Sequence, residues 1–467
     1  MHTSSNRFVF ISIASLITAI LLLVLPTPRV TSAVGTGVDV HVDTTTDEYN
    51  GPDCSLRDAI QTINLGSNHG GCTRVNNLTA YDKVLLPSGT YMLTINGTNE
   101  DFDVTGDLDI RKSMTISETG VTSPTVTGNP DWDDRIFDVV TGTVTIKGLI
   151  ISGGAISTTM HDIGGGGVLI EPGTSLIMNN SRVTSNFVNG YVTHGGGIYN
   201  HGTATLNNVM IDGNTAETGG GIENWDTGTA TLSNVTLDGN TAAYGGGIEN
   251  LGTVNATNVT LDGNSTDPLY GEGGGGIKNF GILILTNSTV SGNTAGMGGG
   301  IYNIFGTGTL VNVTLAGNSA ITGGGLYHNA NTGSDHLTVE NTIGSSAQGA
   351  NCYVDPGSAT QITSSGYNLS SDATCAPYLN QSGDLNNTDP KLGPLANNGG
   401  PTPTHALLPG SPAINRIPLI TNGCGTTITT DQRGFPRPWP TGGRCDIGAF
   451  EFQANNNVLL FLPFIKK

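Results

Sequence analysis

Two sets of ionisable side chains recur at spacings that could do chemistry. Asp212, Asp238 and Asp262 hold the same place in a repeated unit, as in Asn234-Val-Thr-Leu-Asp-Gly-Asn240. Carboxylates stacked on neighbouring strands about 4.8 Å apart repel one another unless a counter-ion intervenes, and oxygen ligands suit Ca²⁺. The plain alternative is three solvated carboxylates and no cofactor. The second set is Tyr199, Glu223, Glu249, Lys278, Tyr302 and Tyr327, each directly after the aliphatic residue that closes a Gly-Gly-Gly triplet. Alternation predicts that these six point outward on one face. Glu223 and Glu249 are the candidate catalytic pair, since carboxylates about 5 Å apart suit a retaining glycosidase. Stacking alone fixes that distance in any solenoid, so the pair is weak evidence for catalysis. Tyr, Glu and Lys along a flat face equally suit contact with an extracellular glycan or a cell-surface protein.

Other catalytic constellations are missing from the sequence. The repeat region from Gly164 to Leu326 has one Arg, Arg182, and one Lys, Lys278, too few for a lyase base beside a carboxylate cluster. No G-H-G or R-I-K element of galacturonidase-like hydrolases occurs. His161, His194, His201 and His328 fall near turns without metal spacing, and none pairs recognisably with a Ser or Cys nucleophile. No G-x-x-x-x-G-K-[ST] phosphate loop is present.

The elements that must position these columns follow from the repeat. Triplet-closing aliphatics stand at Val168, Ile198, Ile222, Ile248, Ile277, Ile301 and Leu326, 24 to 30 residues apart. The Gly density and β-branched residues exclude helical repeats, and leucine-rich spacing is absent. The expected fold is all-β, a right-handed parallel β-helix with three short strands and three turns per coil. Alternation predicts an interior column of Val183, Ile211, Leu237, Leu261, Val290 and Leu315. Asn180, Asn208, Asn234, Asn258, Asn287 and Asn312 are expected at a turn, where Asn tolerates positive φ and side-chain amides can stack. The glycine triplets are expected where the chain needs positive φ and close approach. A solenoid must cover its ends. The segment Cys54 to Asn64 predicts a capping helix with Ser55 as N-cap and Leu56, Ala59, Ile60 and Ile63 on one face. The first strands are expected in Val84 to Ile95.

Composition agrees with a turn-rich β protein. Of 467 residues 69 are Gly, so roughly one in seven, about twice the usual share. The formal charge is −19, a surface that repels phosphate backbones and makes nucleic acid a poor partner. Arg7, the apolar run Phe8 to Leu25 and Thr31-Ser32-Ala33 read as a cleaved signal peptide, with an uncleaved membrane anchor as the rival. Cleavage removes Arg7 and Arg29 and leaves −21, with no membrane span in the mature chain. An even count of six Cys in an exported chain reads as disulfides. They fall as sequence-local pairs, Cys54/Cys72, Cys352/Cys375 and Cys424/Cys445, although six Cys allow 15 connectivities. All six lie outside the Gly-rich middle, so they are expected to staple the ends. The expected organisation is a signal peptide (1–33), an N-terminal cap with first strands (34–105), the repeats (106–350), a C-terminal module (351–452) and a spacer with an apolar tail (453–467).

The Gly-Gly-Gly-Ile and x-Gly-Asn copies resemble the right-handed parallel β-helix superfamily, with its pectin lyase-like fold, and especially repeats of polymorphic outer-membrane proteins and bacterial adhesins. Cys54-Ser-Leu-Arg-Asp-Ala59 resembles the N-terminal module of secreted bacterial β-helix proteins named for the letters C-S-L-R-E-A, with Asp58 in place of Glu. Five blocks, Asp389 to Leu395, Asn398 to Leu407, Pro409 to Ile414, Asp431 to Gly434 and Asp446 to Glu451, are similar in order to a choice-of-anchor module of type Q. These resemblances imply an exported, surface-associated bacterial protein and imply no reaction. The expectation is a non-enzymatic adhesin or glycan- and protein-binding scaffold. The alternatives are a polysaccharide lyase or glycoside hydrolase with a degenerate site, and a Ca²⁺-dependent structural surface protein.

Overall fold

The computed structural model describes residues 36–98, 102–157, 163–190, 193–266 and 273–453. The expected leader, nearly all of the expected tail and His161 lie outside the described residues.

The chain winds as a parallel β-solenoid. One sheet takes a single strand from each of ten coils, from Leu108–Ile110 through Ile222–Asn224 and Ile248–Asn250 to Cys352–Val354. In central coils a second sheet takes two strands on either side of an asparagine corner, for example Thr229–Ser233 and Thr236–Asp238 around Asn234, while Ile282–Ser291 and Thr307–Ala316 run through the corner as single strands. A short third sheet holds Thr241–Ala242, Ser265–Thr266, Thr294–Met297 and Ser319–Thr322. Coil pairing continues past residue 350: Ile362–Ser364 pairs with Leu337–Val339, and Leu369–Ser370 with Ile343 and Gly344. Solenoid pairing also begins earlier than expected, because Val38–His41 already lies parallel to Asp82–Leu86.

The period-2 pattern works as expected. Val183, Ile211, Leu237, Leu261, Val290 and Leu315 align in one interior column and are buried. Each contributes roughly 1.5–3 kcal/mol on burial. The corner asparagines Asn180, Asn208, Asn234, Asn258, Asn287 and Asn312 have φ between 46° and 57°. Their amides link neighbouring coils, as Asn234 Nδ2 donates to Asn208 Oδ1 at 3.1 Å.

Two deeper asparagine ladders were not anticipated. Asn186, Asn214, Asn240, Asn264, Asn293 and Asn318 are buried, and each Nδ2 donates to the next Oδ1 at 2.9–3.0 Å. The backbone N–H of each of the first five donates to that same oxygen. A third ladder runs through Asn200, Asn224, Asn250, Asn279 and Asn303 and ends on His328.

The glycine triplets carry two constraints. The first glycine needs positive φ, +58° at Gly219. A Cβ on Gly220 would lie 2.5 Å from the Thr241 carbonyl oxygen and 2.6 Å from that of Gly246, so the neighbouring coil leaves no room for a side chain.

The helix Leu56–Leu65 covers the upstream end. It begins at Ser55, whose hydroxyl accepts from the Asp58 N–H at 3.0 Å, and it buries Leu56, Ala59, Ile60 and Ile63 against the first coils. The cysteines pair as the sequence-local reading expects, Cys54 with Cys72, Cys352 with Cys375 and Cys424 with Cys445. All six are buried. The Cys54–Cys72 bond ties the residue before the Ser55 cap to the loop that follows the helix, so it staples the cap. The Cys352–Cys375 bond departs from the expected division of the chain. Cys352 stands in register with Leu326 on the last strand of the ten-stranded sheet, so this bond belongs to the solenoid and not to a separate C-terminal module. The Cys424–Cys445 bond lies in the C-terminal segment proper, where the Cys445 N–H also donates to the Ile417 carbonyl at 2.9 Å.

That segment folds back along the side of the solenoid around a small core of Leu407, Ala413, Ile417, Cys424, Cys445, Ile447 and Phe450. Gln432 is its main polar anchor. Nε2 donates to the Thr260 and Thr402 hydroxyls, and Oε1 accepts from the Thr289 hydroxyl, all at 2.7–2.9 Å. The Asp431-Gln-Arg-Gly and Asp446-to-Glu451 blocks form ion pairs, Arg433 with Asp431 at 2.7 Å and Arg437 with Glu451 at 3.1 Å. In this structure those motif residues bind the segment together and onto the coils.

Asn240→Ala removes the four hydrogen bonds of its carboxamide and strands the Asn214 backbone N–H in a dry interior. A loss of about 3 kcal/mol or more is expected, read as a lower urea midpoint. Asn234→Gly at the corner, where positive φ is the main demand, should cost far less.

Candidate functional site

The expected Tyr/Glu/Lys column assembles in register. Tyr199, Glu223, Glu249, Lys278, Tyr302 and Tyr327 occupy successive coils of the ten-stranded sheet. The ladder is longer than the sequence suggested, starting with Asp109, Asp138 and Leu169 and ending with Tyr353. Its exposure differs from the expectation. All six predicted residues are buried, between 1% and 5% exposed. The cause is the glycine turn, which folds back over the strand it introduces. A Cβ on Gly219 would meet the Glu223 Cβ at 2.7 Å, and Gly245 and Gly298 stand in the same way over Glu249 and Tyr302. The column therefore forms a packed layer beneath the turns instead of an open face.

Inside that layer the charged groups are paired. Both Glu223 carboxylate oxygens lie 2.9 Å from His194 Nδ1, and the Thr218 hydroxyl donates to Oε2. Lys278 Nζ lies 3.5 Å from Glu249 Oε1 and sits over the Tyr244 ring at 4.2 Å. Burial, and then the neighbouring Glu223, push the Glu249 carboxyl up to about 7, against the pull of Lys278. Further along, Tyr302, Tyr327 and Tyr353 pack ring on ring, and the Tyr327 hydroxyl donates to Asp355 at 2.9 Å.

The upstream part of the column stays buried, but side chains beside it reach an open cleft. The rings of Tyr199, His194, His201 and Trp225 form one cluster: His194 stacks on Tyr199 at 4.9 Å, Trp225 meets His194 edge-on at 5.2 Å, and His201 meets Tyr199 at 4.2 Å. His201 and Trp225 are half-buried and line an open cleft of about 340 Å³ with Arg135, Leu169, Glu171 and Tyr199. Burial, and then His194, lower the His201 imidazole below its usual range, so it is neutral at pH 7. Arg135 stands in register with Gly166, the middle glycine of the next coil's triplet, and lines the cleft there.

Beside the cleft lies a carboxylate group that the repeat pattern did not single out. Asp107, Asp109 and Asp138 bring ligand oxygens within 4.8 Å of one another. Arg135 Nη1 bonds Asp107 Oδ2 and Asp138 Oδ2, both at 3.1 Å. Burial holds the Asp107 carboxyl well above its usual range despite Arg135. The available signal was the Asp107-Leu-Asp109 alternation, followed one coil later by Asp138.

The Asp212, Asp238 and Asp262 column is in register and half-buried. Arg182 forks onto Asp212 at 2.7 and 2.5 Å and neutralises its end of the column. Burial, and then Asp262 and Asp212, raise the Asp238 carboxyl. Among the described residues, the acidic ligand atoms that close within 4.8 Å as a set of three are those of Asp107, Asp109 and Asp138, not this column. The cysteines offer no thiol chemistry, since Cys54, Cys72, Cys352, Cys375, Cys424 and Cys445 are all spent in disulfides.

Glu249 sets a stability signature. Its folded value of about 7 exceeds the ordinary 4.5, so the folded state holds a proton that the unfolded state has released between those values. Stability falls as pH rises through that window. Glu249→Gln should raise the melting midpoint at pH 8 and leave it nearly unchanged at pH 4.5; an equal shift at both pH values would contradict this assignment.

No family model matches the chain. No curated protein matches it either. Among solved structures it is similar to the crystal structure of pectate lyase Pel9A, with 14% identity over 80% of this chain and 88% of that chain and a TM-score of 0.45. A likeness that distant carries neither residue roles nor a reaction. No helix among the described residues is long and apolar enough to cross a membrane.

Proposed function

We propose that this protein is an exported, surface-associated scaffold that binds extracellular glycan without turning it over. The observation that carries the reading is the open cleft walled by Tyr199, His201 and Trp225. The half-buried His201 and Trp225 rings beside a few polar groups suit the apolar faces and hydroxyls of sugars. The three disulfides fit an oxidising compartment. The C-S-L-R-E-A-like and anchor-like motifs support attachment at a bacterial surface, where repeated weak contacts add up.

The buried state of Glu223 and Glu249 argues against catalysis at that pair, because a glycosidic oxygen must come within hydrogen-bond reach of the acid. The full chain, incubated with a panel of neutral and uronic-acid polysaccharides and added Ca²⁺, is expected to release no new reducing ends and no unsaturated, ultraviolet-absorbing products. At least one polysaccharide should be retained on the protein, and Trp225→Ala should lose that retention. Turnover abolished by Glu223→Gln or Glu249→Gln would establish the lyase or hydrolase reading instead.

The Ca²⁺ reading rests on the crowding of Asp238 and Asp262, which a bridging cation would relieve. A rise in melting midpoint on adding Ca²⁺ that Asp238→Ala abolishes would support it; an unchanged midpoint would remove it.

A further inference from the structure

A second cleft, of about 530 Å³, opens on the outer side of the sheet that carries the asparagine corners, whereas Tyr199 of the aromatic cleft belongs to the ten-stranded sheet. Tyr81, Ser113, Thr115, Thr143, Thr145 and Ile177 line it. The volume lies within the roughly 300–1,000 Å³ found for small-molecule sites. The lining includes no Asp, Glu, Lys, Arg or His, in a chain whose formal charge is −19. Among the described residues, the Thr115, Thr143 and Thr145 hydroxyls make no hydrogen bond within the protein, and the Ser113 hydroxyl accepts the Thr143 N–H at 3.0 Å. Tyr81 is 68% exposed. Its carbonyl accepts from Asn77 Nδ2 at 3.3 Å and from the Thr79 hydroxyl at 3.1 Å, so the backbone is held while the ring faces solvent.

An ionic ligand would find no counter-charge in this lining, and its desolvation there would go uncompensated. An uncharged sugar finds matched groups. The Tyr81 ring offers a face for its C–H groups, and the threonine hydroxyls can both donate to and accept from its own. Lys83 stands in register with Thr115 one coil upstream and is not part of the lining. The cleft also has a direction. Thr145 is followed in register by Ile177, Thr205 and Thr231, and Thr143 by Ser175, Thr203 and Thr229. Coils repeat about every 4.8 Å, so these two outward ranks set hydroxyls along the solenoid axis. Such ranks alone are ordinary β-surface; the cleft and its exposed ring mark their upstream end as a site.

We infer that the cleft of Tyr81, Thr115, Thr143 and Thr145 is a second saccharide site, separate from the aromatic cleft, which takes an uncharged glycan chain lying along the coils. This rests on the glycan-binding reading above and adds a site to it. Two weak sites on different sheets together retain a polysaccharide matrix that neither retains alone, so loss of either cleft loses retention while the other still binds a short oligosaccharide.

The test is calorimetric titration of the full chain carrying Trp225→Ala, which removes the aromatic cleft, with cello-, manno- and malto-hexaose. At least one of these should still bind, one molecule per chain. Adding Tyr81→Ala should weaken that binding at least about tenfold. Adding Thr145→Val instead, which keeps the shape and removes one hydroxyl, should weaken it severalfold, with melting curves as the check on folding. Lys83→Gln should leave the affinity unchanged. Binding that survives Tyr81→Ala undiminished in a folded variant, or that Lys83→Gln abolishes, would overturn the inference. Hexasaccharide binding by the wild-type chain that vanishes entirely in Trp225→Ala would overturn it too, while leaving the glycan-binding reading intact. A second copy of this chain seated in the cleft would show as a dimer on sedimentation that Tyr81→Ala dissociates, and would likewise overturn it. No binding by the wild-type chain would sink the inference and the glycan-binding reading together.

Discussion

Each central coil buries asparagines whose carboxamides bond to the coils before and after it. In the ladder from Asn186 to Asn318, an oxygen takes both the side-chain and the backbone N–H of its neighbour. A slip of one residue in register would leave every one of these groups unbonded in an apolar interior, and each such loss costs about 1–3 kcal/mol. The interior aliphatics supply cohesion, and they would tolerate some rearrangement. The amides do not, and so they fix which residue lies over which.

Register is what makes the columns meaningful. Once Ile222 lies over Ile198, Glu223 must lie over Tyr199, and the following coils stack Glu249 and Lys278 onto it. The glycine turns then decide what that ladder can do. Where triplets stack on triplets, backbone presses onto the outward side chains and seals them into ion pairs and ring stacks. Where the triplets begin, Arg135 stands in place of a glycine, and near it the half-buried His201 and Trp225 line an open cleft with the buried Tyr199. The cleft of the proposed function thus lies at the boundary between two kinds of coil.

Much of this was legible in the sequence because stacking turns a spatial contact into a repeat. The interior column, the corner asparagines and the glycine triplets follow from local patterns that recur about every 25 residues. The capping helix and the three disulfides are local in the chain and were legible for that reason. The place of Cys352 on the last coil was not, because the glycine triplets stop at Leu326 while the strand pairing goes on. The outward direction of the Tyr/Glu column was legible as well, but its burial was not. Alternation says which way a side chain leaves the strand and nothing about a turn folding back over it. The pairing of His194 with Glu223 depends on that same fold-back across coils. The Asp107, Asp109, Asp138 and Arg135 group lies upstream of the regular repeats, so no column announced it. The docking of Gln432 on Thr289 spans 143 residues and leaves no periodic trace.

The most direct test of the account is native-state hydrogen exchange resolved along the full chain. If the buried amide ladder holds the register, the backbone N–H groups of Asn214, Asn240, Asn264 and Asn293 should be among the slowest to exchange, opening only with global unfolding and together with the Ile222, Ile248 and Ile277 amides. Exchange of the asparagine amides by local opening, while those isoleucine amides stay protected, would contradict it.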